Sequence, residues 1–137
     1  MREILFRGKR IEDGEWAYGS LLIDYVTGKF FIHAIGNSVN DSDKVGEDGI
    51  LNFVAFEVIP ETVGQYTGLL DKNSKKIFEG DIVVDRWANE YTPVFQNGIY
   101  MAYNPKHLTQ NGPSTQFNVI WKDGCEIIGN IHEEVQE

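Results

Sequence analysis

Apolar and polar positions along this chain alternate mostly with a period of two, and runs with apolar residues at i, i+3, i+4 and i+7 are scarce. Leu5 and Phe6 open a short strand, Glu12 to Glu15 supplies a turn, and Trp16, Tyr18, Ser20 and Leu22 then fall on one face of the next strand. The turn Val26-Thr27-Gly28-Lys29 and the run Phe30 to Ile35 repeat the same logic, which predicts a three-stranded meander. From Gly36 to Gly49 the residues are rich in Asn, Ser, Asp and Gly, as expected of a loop. Ile50 to Ile59 is apolar on both parities, the mark of a strand covered on both faces, and Pro60 ends it.

A module boundary is expected at Pro60 to Val63. The second half starts with Gly64 to Leu70, turns at Asp71 to Lys75, and resumes at Ile77 to Asp85. Residues 87–116 form a long insertion that mixes aromatics with Asn97-Gly98, Pro93, Pro105 and Asn111-Gly112-Pro113, with a strand predicted at Ile99 to Tyr103. Phe117, Val119 and Trp121 alternate, and Asp123-Gly124 predicts a hairpin into Glu126 to Ile131. The resulting expectation is a mostly β protein with few or short helices. Residues 1–62 form an antiparallel β module. Residues 63–137 form an SH3-like small barrel, opened by Gly80 to Asp85 and closed by Phe117 to Ile131. A rival arrangement pairs both halves into one continuous sheet.

Composition narrows the partners. Among 137 residues, 12 Lys and Arg face 21 Asp and Glu, a formal net charge of −9. Such an excess of carboxylates repels phosphate backbones and anionic leaflets, so neither nonspecific nucleic-acid binding nor membrane binding is expected. The apolar run near Met1 is too short for a signal peptide, and no stretch approaches the ~20 apolar residues of a membrane span. A single cysteine, Cys125, forms no intramolecular disulfide and suits a reducing compartment, which points to the cytoplasm. His33, His107, His132 and Cys125 lack the close paired spacing of zinc ligands, so no metal or organic cofactor is expected.

Candidate chemistry is sparse. Glu79-Gly80-Asp81 could hold a cation, but a Gly before a strand and an Asp beside turn amides explain it more simply. Cys125 and His132 have the residue types of a nucleophile and its base, yet nothing signals an orienting group or oxyanion site. Nucleotide-binding glycine loops, a nucleophile elbow and a zincin motif are all missing from the sequence. Trp16, Tyr18 and Trp121 read as core packing. Trp87, Tyr91, Tyr100 and Tyr103 lie in the insertion and are the candidate protein-binding residues.

Met1 to Gly8, Gly64-Gln65-Tyr66-Thr67-Gly68-Leu69-Leu70-Asp71, Lys76-Ile77-Phe78-Glu79-Gly80-Asp81-Ile82-Val83 and Ile128-Gly129-Asn130-Ile131-His132-Glu133 occur in an order that resembles the YopX family of phage and prophage proteins. Ser74 stands where that family commonly has Gly, and Glu134-Val135 where Asn-Pro often follows. The resemblance implies a small cytoplasmic protein encoded by a phage or prophage, and it carries over no activity and no catalytic residue. The expected function is that of a non-enzymatic accessory protein. It is a self-associating module, since β edges and surplus aromatics are commonly covered by symmetric association, and it binds a host or phage protein. The alternatives are an acidic effector that mimics DNA toward a host nucleic-acid-binding protein, or an enzyme of unrecognised type.

Overall fold

The computed structural model describes residues 2–35, 53–106, 108, 112–113 and 115–133, and divides the chain into two compact units, Met1–Gln65 and Tyr66–Glu137. The expected loop at 36–49, most of His107 to Asn111, and the final Glu134-Val135 lie outside the described residues.

In the first unit, β1 (Phe6–Lys9), β2 (Trp16–Asp24), β3 (Lys29–Ile35) and β4 (Phe53–Val58) form an antiparallel meander in sequence order. The alternation read from Trp16 to Leu22 is a real pleat: the opposite parity, Ala17 and Leu21, faces the core with Ile32 and Val58. The ends of β1 and β4 are also tied. Ile11 N donates to Glu57 O and Ile59 N to Lys9 O, at 3.0 and 2.8 Å, around a single Arg10–Val58 bridge. After a 3₁₀ turn at Pro60–Thr62, β5 (Gly64–Leu70) begins beside β1, with Gly64 opposite Arg7 and Gln65 opposite Phe6. Thr62 anchors this exit, its hydroxyl donating to Ile59 O and accepting from Lys9 N.

The second unit pairs the rest of β5 with β6 (Lys76–Phe78), and builds a five-stranded antiparallel sheet from β7 (Asp81–Asp85), β8 (Glu90–Gln96), β9 (Ile99–Tyr103), β10 (Thr115–Gln116) and β11 (Cys125–Asn130) in the order β10-β9-β8-β7-β11. The expected SH3-like barrel is corrected here to an open sheet. Among the described residues, β10 and β11 are its two edges and no ladder joins them. A two-residue β10 is too short to close a barrel, and the chain leaves it as a helix rather than a strand.

That helix, α1 (Phe117–Lys122), corrects a second expectation, the hairpin strand at Phe117 to Trp121. Phe117, Val119 and Trp121 do alternate, but Phe117, Ile120 and Trp121 also fit helical spacing, and tertiary packing chose the latter. Phe117 and Ile120 pack on the core while Val119 is exposed, and Trp121 Nε1 donates to Leu70 O at 2.7 Å. Gly124, at φ 92, receives the helix end in the left-handed conformation.

Among the described residues of the insertion at 87–116, most lie in β8, β9 and β10. Asn97-Gly98, both at positive φ, form the tight turn between β8 and β9. Pro93 stands inside β8, which proline tolerates because the β7 ladder ends at Tyr91 and leaves Pro93 paired to β9 alone.

Candidate functional site: a cleft between two aspartate turns

Two hairpin turns in the second unit are built alike. Asp71 follows β5: its N donates to Lys75 O, its carbonyl accepts from Ser74 N, and its Oδ1 accepts from Asn73 N and Lys75 N at 2.8 and 2.9 Å. Asp85 ends β7 and repeats every bond, with Asn89 O, Ala88 N, and Oδ1 accepting from Trp87 N and Asn89 N, both at 2.9 Å. The fourth residue of each turn, Ser74 at φ 64 and Ala88 at φ 66, lies in the left-handed region. That conformation is free for glycine and costs other residues about 1 kcal/mol, which explains why Gly would suit position 74.

Both turns flank Cys125 at the start of β11. On one side Cys125 pairs with Asp85 across the β7 ladder. On the other, Lys72 N donates to Cys125 O and Ile127 N donates to Asp71 Oδ2, at 2.9 and 3.1 Å. Asp71 thereby takes a main-chain donor on the outer edge of β11 that a neighbouring strand would otherwise take. Between the turns lies a cleft of about 150 Å³ lined by Lys72, Asp85, Arg86, Asp123, Gly124 and Cys125. It is smaller than the roughly 300–1,000 Å³ of a typical small-molecule site.

The electrostatics of the cleft disfavour nucleophilic chemistry. Burial pushes the Cys125 thiol up to about 11, and the Asp71 and Asp85 carboxylates add to the effect. The thiol is therefore protonated at neutral pH, whereas reactive cysteines sit in electropositive, partly exposed surroundings. His132 supplies no base. Cys125 and Asn130 pair with Asp85 and Asp81 at opposite ends of the β7–β11 ladder, and His132 lies beyond Asn130, against Gly80. Asp81 is buried and accepts from Phe78 N at 2.8 Å, which places the Glu79-Gly80-Asp81 segment in a turn. Among the described residues, no three His, Cys, Asp or Glu side chains gather as metal ligands, and no helix is long and apolar enough to cross a membrane.

The four aromatics singled out in the insertion are distributed, not clustered. Tyr103 is 6% exposed and donates its hydroxyl to Gln96 at 2.6 Å. Tyr91 and Tyr100 pack half-buried against the core, Tyr100 meeting the Phe95 ring edge-on at 5.1 Å. Trp87 alone of the four is exposed, at 58%, on the Asp85 turn, with the guanidinium of the cleft-lining Arg86 4.2 Å from its ring centre. Sequence reading missed the second Asp turn, although an Asp closing an apolar strand four residues before Asn89 carried the signal.

A family model described as YopX protein matches residues 5–136. The crystal structure of protein EF1440 from Enterococcus faecalis is similar in fold, with a TM-score of 0.51 and 23% identity over 97% of this chain and 96% of that one. No curated protein matches the chain.

Proposed function

The chain belongs to the YopX family, and on that premise we propose that it is a phage or prophage accessory protein without enzymatic activity, acting in the host cytoplasm as a self-associating protein-binding module. The observation that carries this reading is Trp87, an exposed indole held beneath Arg86 on a turn whose backbone Asp85 rigidifies. A large aromatic presented in a fixed geometry loses little entropy on binding, which is how interface anchors behave. The protonated, buried Cys125 thiol supports binding over turnover. Asp24, Asp71 and Asp85 are occupied with turn amides rather than displayed as a row of charges, which counts against a mimic of DNA.

Affinity capture from host lysate tests the proposal. Salt-resistant capture that Trp87→Ala reduces about tenfold, with the melting temperature unchanged within roughly 2 °C, is the expected result. Salt-sensitive capture of DNA-binding proteins, or a screened activity lost in Cys125→Ala, would overturn it.

A further inference from the structure

The first unit's sheet carries apolar side chains on both faces, and its core uses only one. Ladder register assigns the sides: Ser20 pairs with His33, Leu22 with Phe31, and His33 with Ala55, so these residues share the face opposite Ala17, Ile32 and Val58. An antiparallel sheet with one wetted face ordinarily keeps that face polar. Here Leu22 is 57% and Tyr18 39% exposed, Ala55 is exposed, and Phe31 is half-buried between Leu22 and Glu57. The apolar strip continues to the β2–β3 tip, where Tyr25 and Val26 are 87% and 95% exposed. Asp24 holds that tip, accepting from Val26 N, Thr27 N and the Thr27 hydroxyl. Turn formation thus rests on Asp24, Thr27 and Gly28, and the Tyr25 and Val26 side chains add nothing to it.

Resting on the self-association proposed above, we infer that this face docks a second copy of the chain, face to face about a two-fold axis. Charge selects the occupant. Copies carrying −9 repel one another, but the accessible formal charges on this face are Lys9 and Lys29 against Asp24 and Glu57, with Lys29 and Glu57 3.9 Å apart, while Arg7 is buried against Trp16. The patch is close to neutral, and a two-fold contact sets each patch against itself, so near-neutrality is what the symmetry demands. Because β1 and β4 are tied to each other, the accessible strip lies on β2, β3 and β4, whose 4.8 Å spacing and 3.3 Å rise give a face roughly 10 by 20 Å. With the protruding tip this supplies a few hundred Å², below the about 800 Å² per partner of a standard interface, so the dimer is a weak, concentration-dependent one.

The test is mass by light scattering and sedimentation across micromolar concentrations, for the wild type, Leu22→Glu, and the tip variant Tyr25→Ser with Val26→Ser. The tip variant cannot fail through lost core packing. A wild-type dimer is expected, with its dissociation constant raised about tenfold or more in each variant, while Trp87→Ala remains dimeric. A wild type that stays monomeric overturns this face and the self-association reading together. A dimer unmoved by the sheet and tip changes but broken by Trp87→Ala overturns this face alone and leaves self-association standing.

Discussion

Asp71→Ala is the sharpest probe of how the second unit is held together. One carboxylate, 5% exposed, accepts from Asn73 N, Lys75 N and Ile127 N, and the last bond spans 56 positions from the turn to β11. Removing it leaves three backbone donors without their acceptor. The two turn amides border exposed Lys72 and Asn73, where water substitutes at about 0.5–1 kcal/mol each, whereas Ile127 N, part-buried on the β11 edge, costs about 1–3 kcal/mol when unpaired. The total is about 2–5 kcal/mol, or roughly 8–40 °C in the melting temperature at about 4–8 °C per kcal/mol for a unit this size. Burial alone would raise the Asp71 carboxyl, but the bonds from Ile127, Lys75 and Asn73 outweigh it and hold it below the usual value. Its stabilising effect is therefore complete above the ordinary carboxylate pKa and fades as pH falls through the lower folded value. Scanning calorimetry from pH 7 down to about pH 3 should show the gap between wild type and Asp71→Ala narrowing on the acid side. Thiol-reagent labelling of Cys125 should quicken in the variant as the Lys72–Cys125 clip loosens. A fall under about 3 °C, or a gap that keeps its size at low pH, would refute the argument.

Two further outcomes follow from other parts of the molecule. Because burial and the flanking carboxylates keep the Cys125 thiol protonated up to about 11, native protein should resist alkylation at pH 8 and react fully only in denaturant. The raised value also contributes stability below pH 9 that is lost as pH rises toward 11, so urea midpoints should fall across that window more in the wild type than in Cys125→Ala. Gly19→Ala places a Cβ against the His33 carbonyl and must push β2 from β3. A loss of about 1–3 kcal/mol in chemical denaturation is expected, and a neutral result would show that the two strands can separate without penalty.

Local chemistry was legible in the chain wherever a residue acts on its immediate neighbours. Alternation at Trp16 to Leu22, the turn at Asp71 to Lys75 and the strand at Ile99 to Tyr103 are short-range facts, governed by pleat and by turn hydrogen bonds, and they stand in the folded protein. Family membership was likewise visible in segments spread over the whole chain. Tertiary structure alone decided the rest, because it turns on which of two permitted patterns finds a partner. Phe117 to Trp121 satisfies both strand and helix periods, and the core beneath Phe117 and Ile120, with Leu70 O awaiting the Trp121 indole, selected the helix. Equal aromatic residues were likewise sorted by register. Tyr103 was drawn into the interior and hydrogen-bonded to Gln96, while Trp87, in the turn after β7, was left in solvent. The convergence of Asp71, Asp85 and Cys125 could not be read from spacing either. Their neighbourhood is made by the β7–β11 ladder and the Asp71–Ile127 bond, contacts between residues far apart in sequence whose geometry exists only once the sheet has formed.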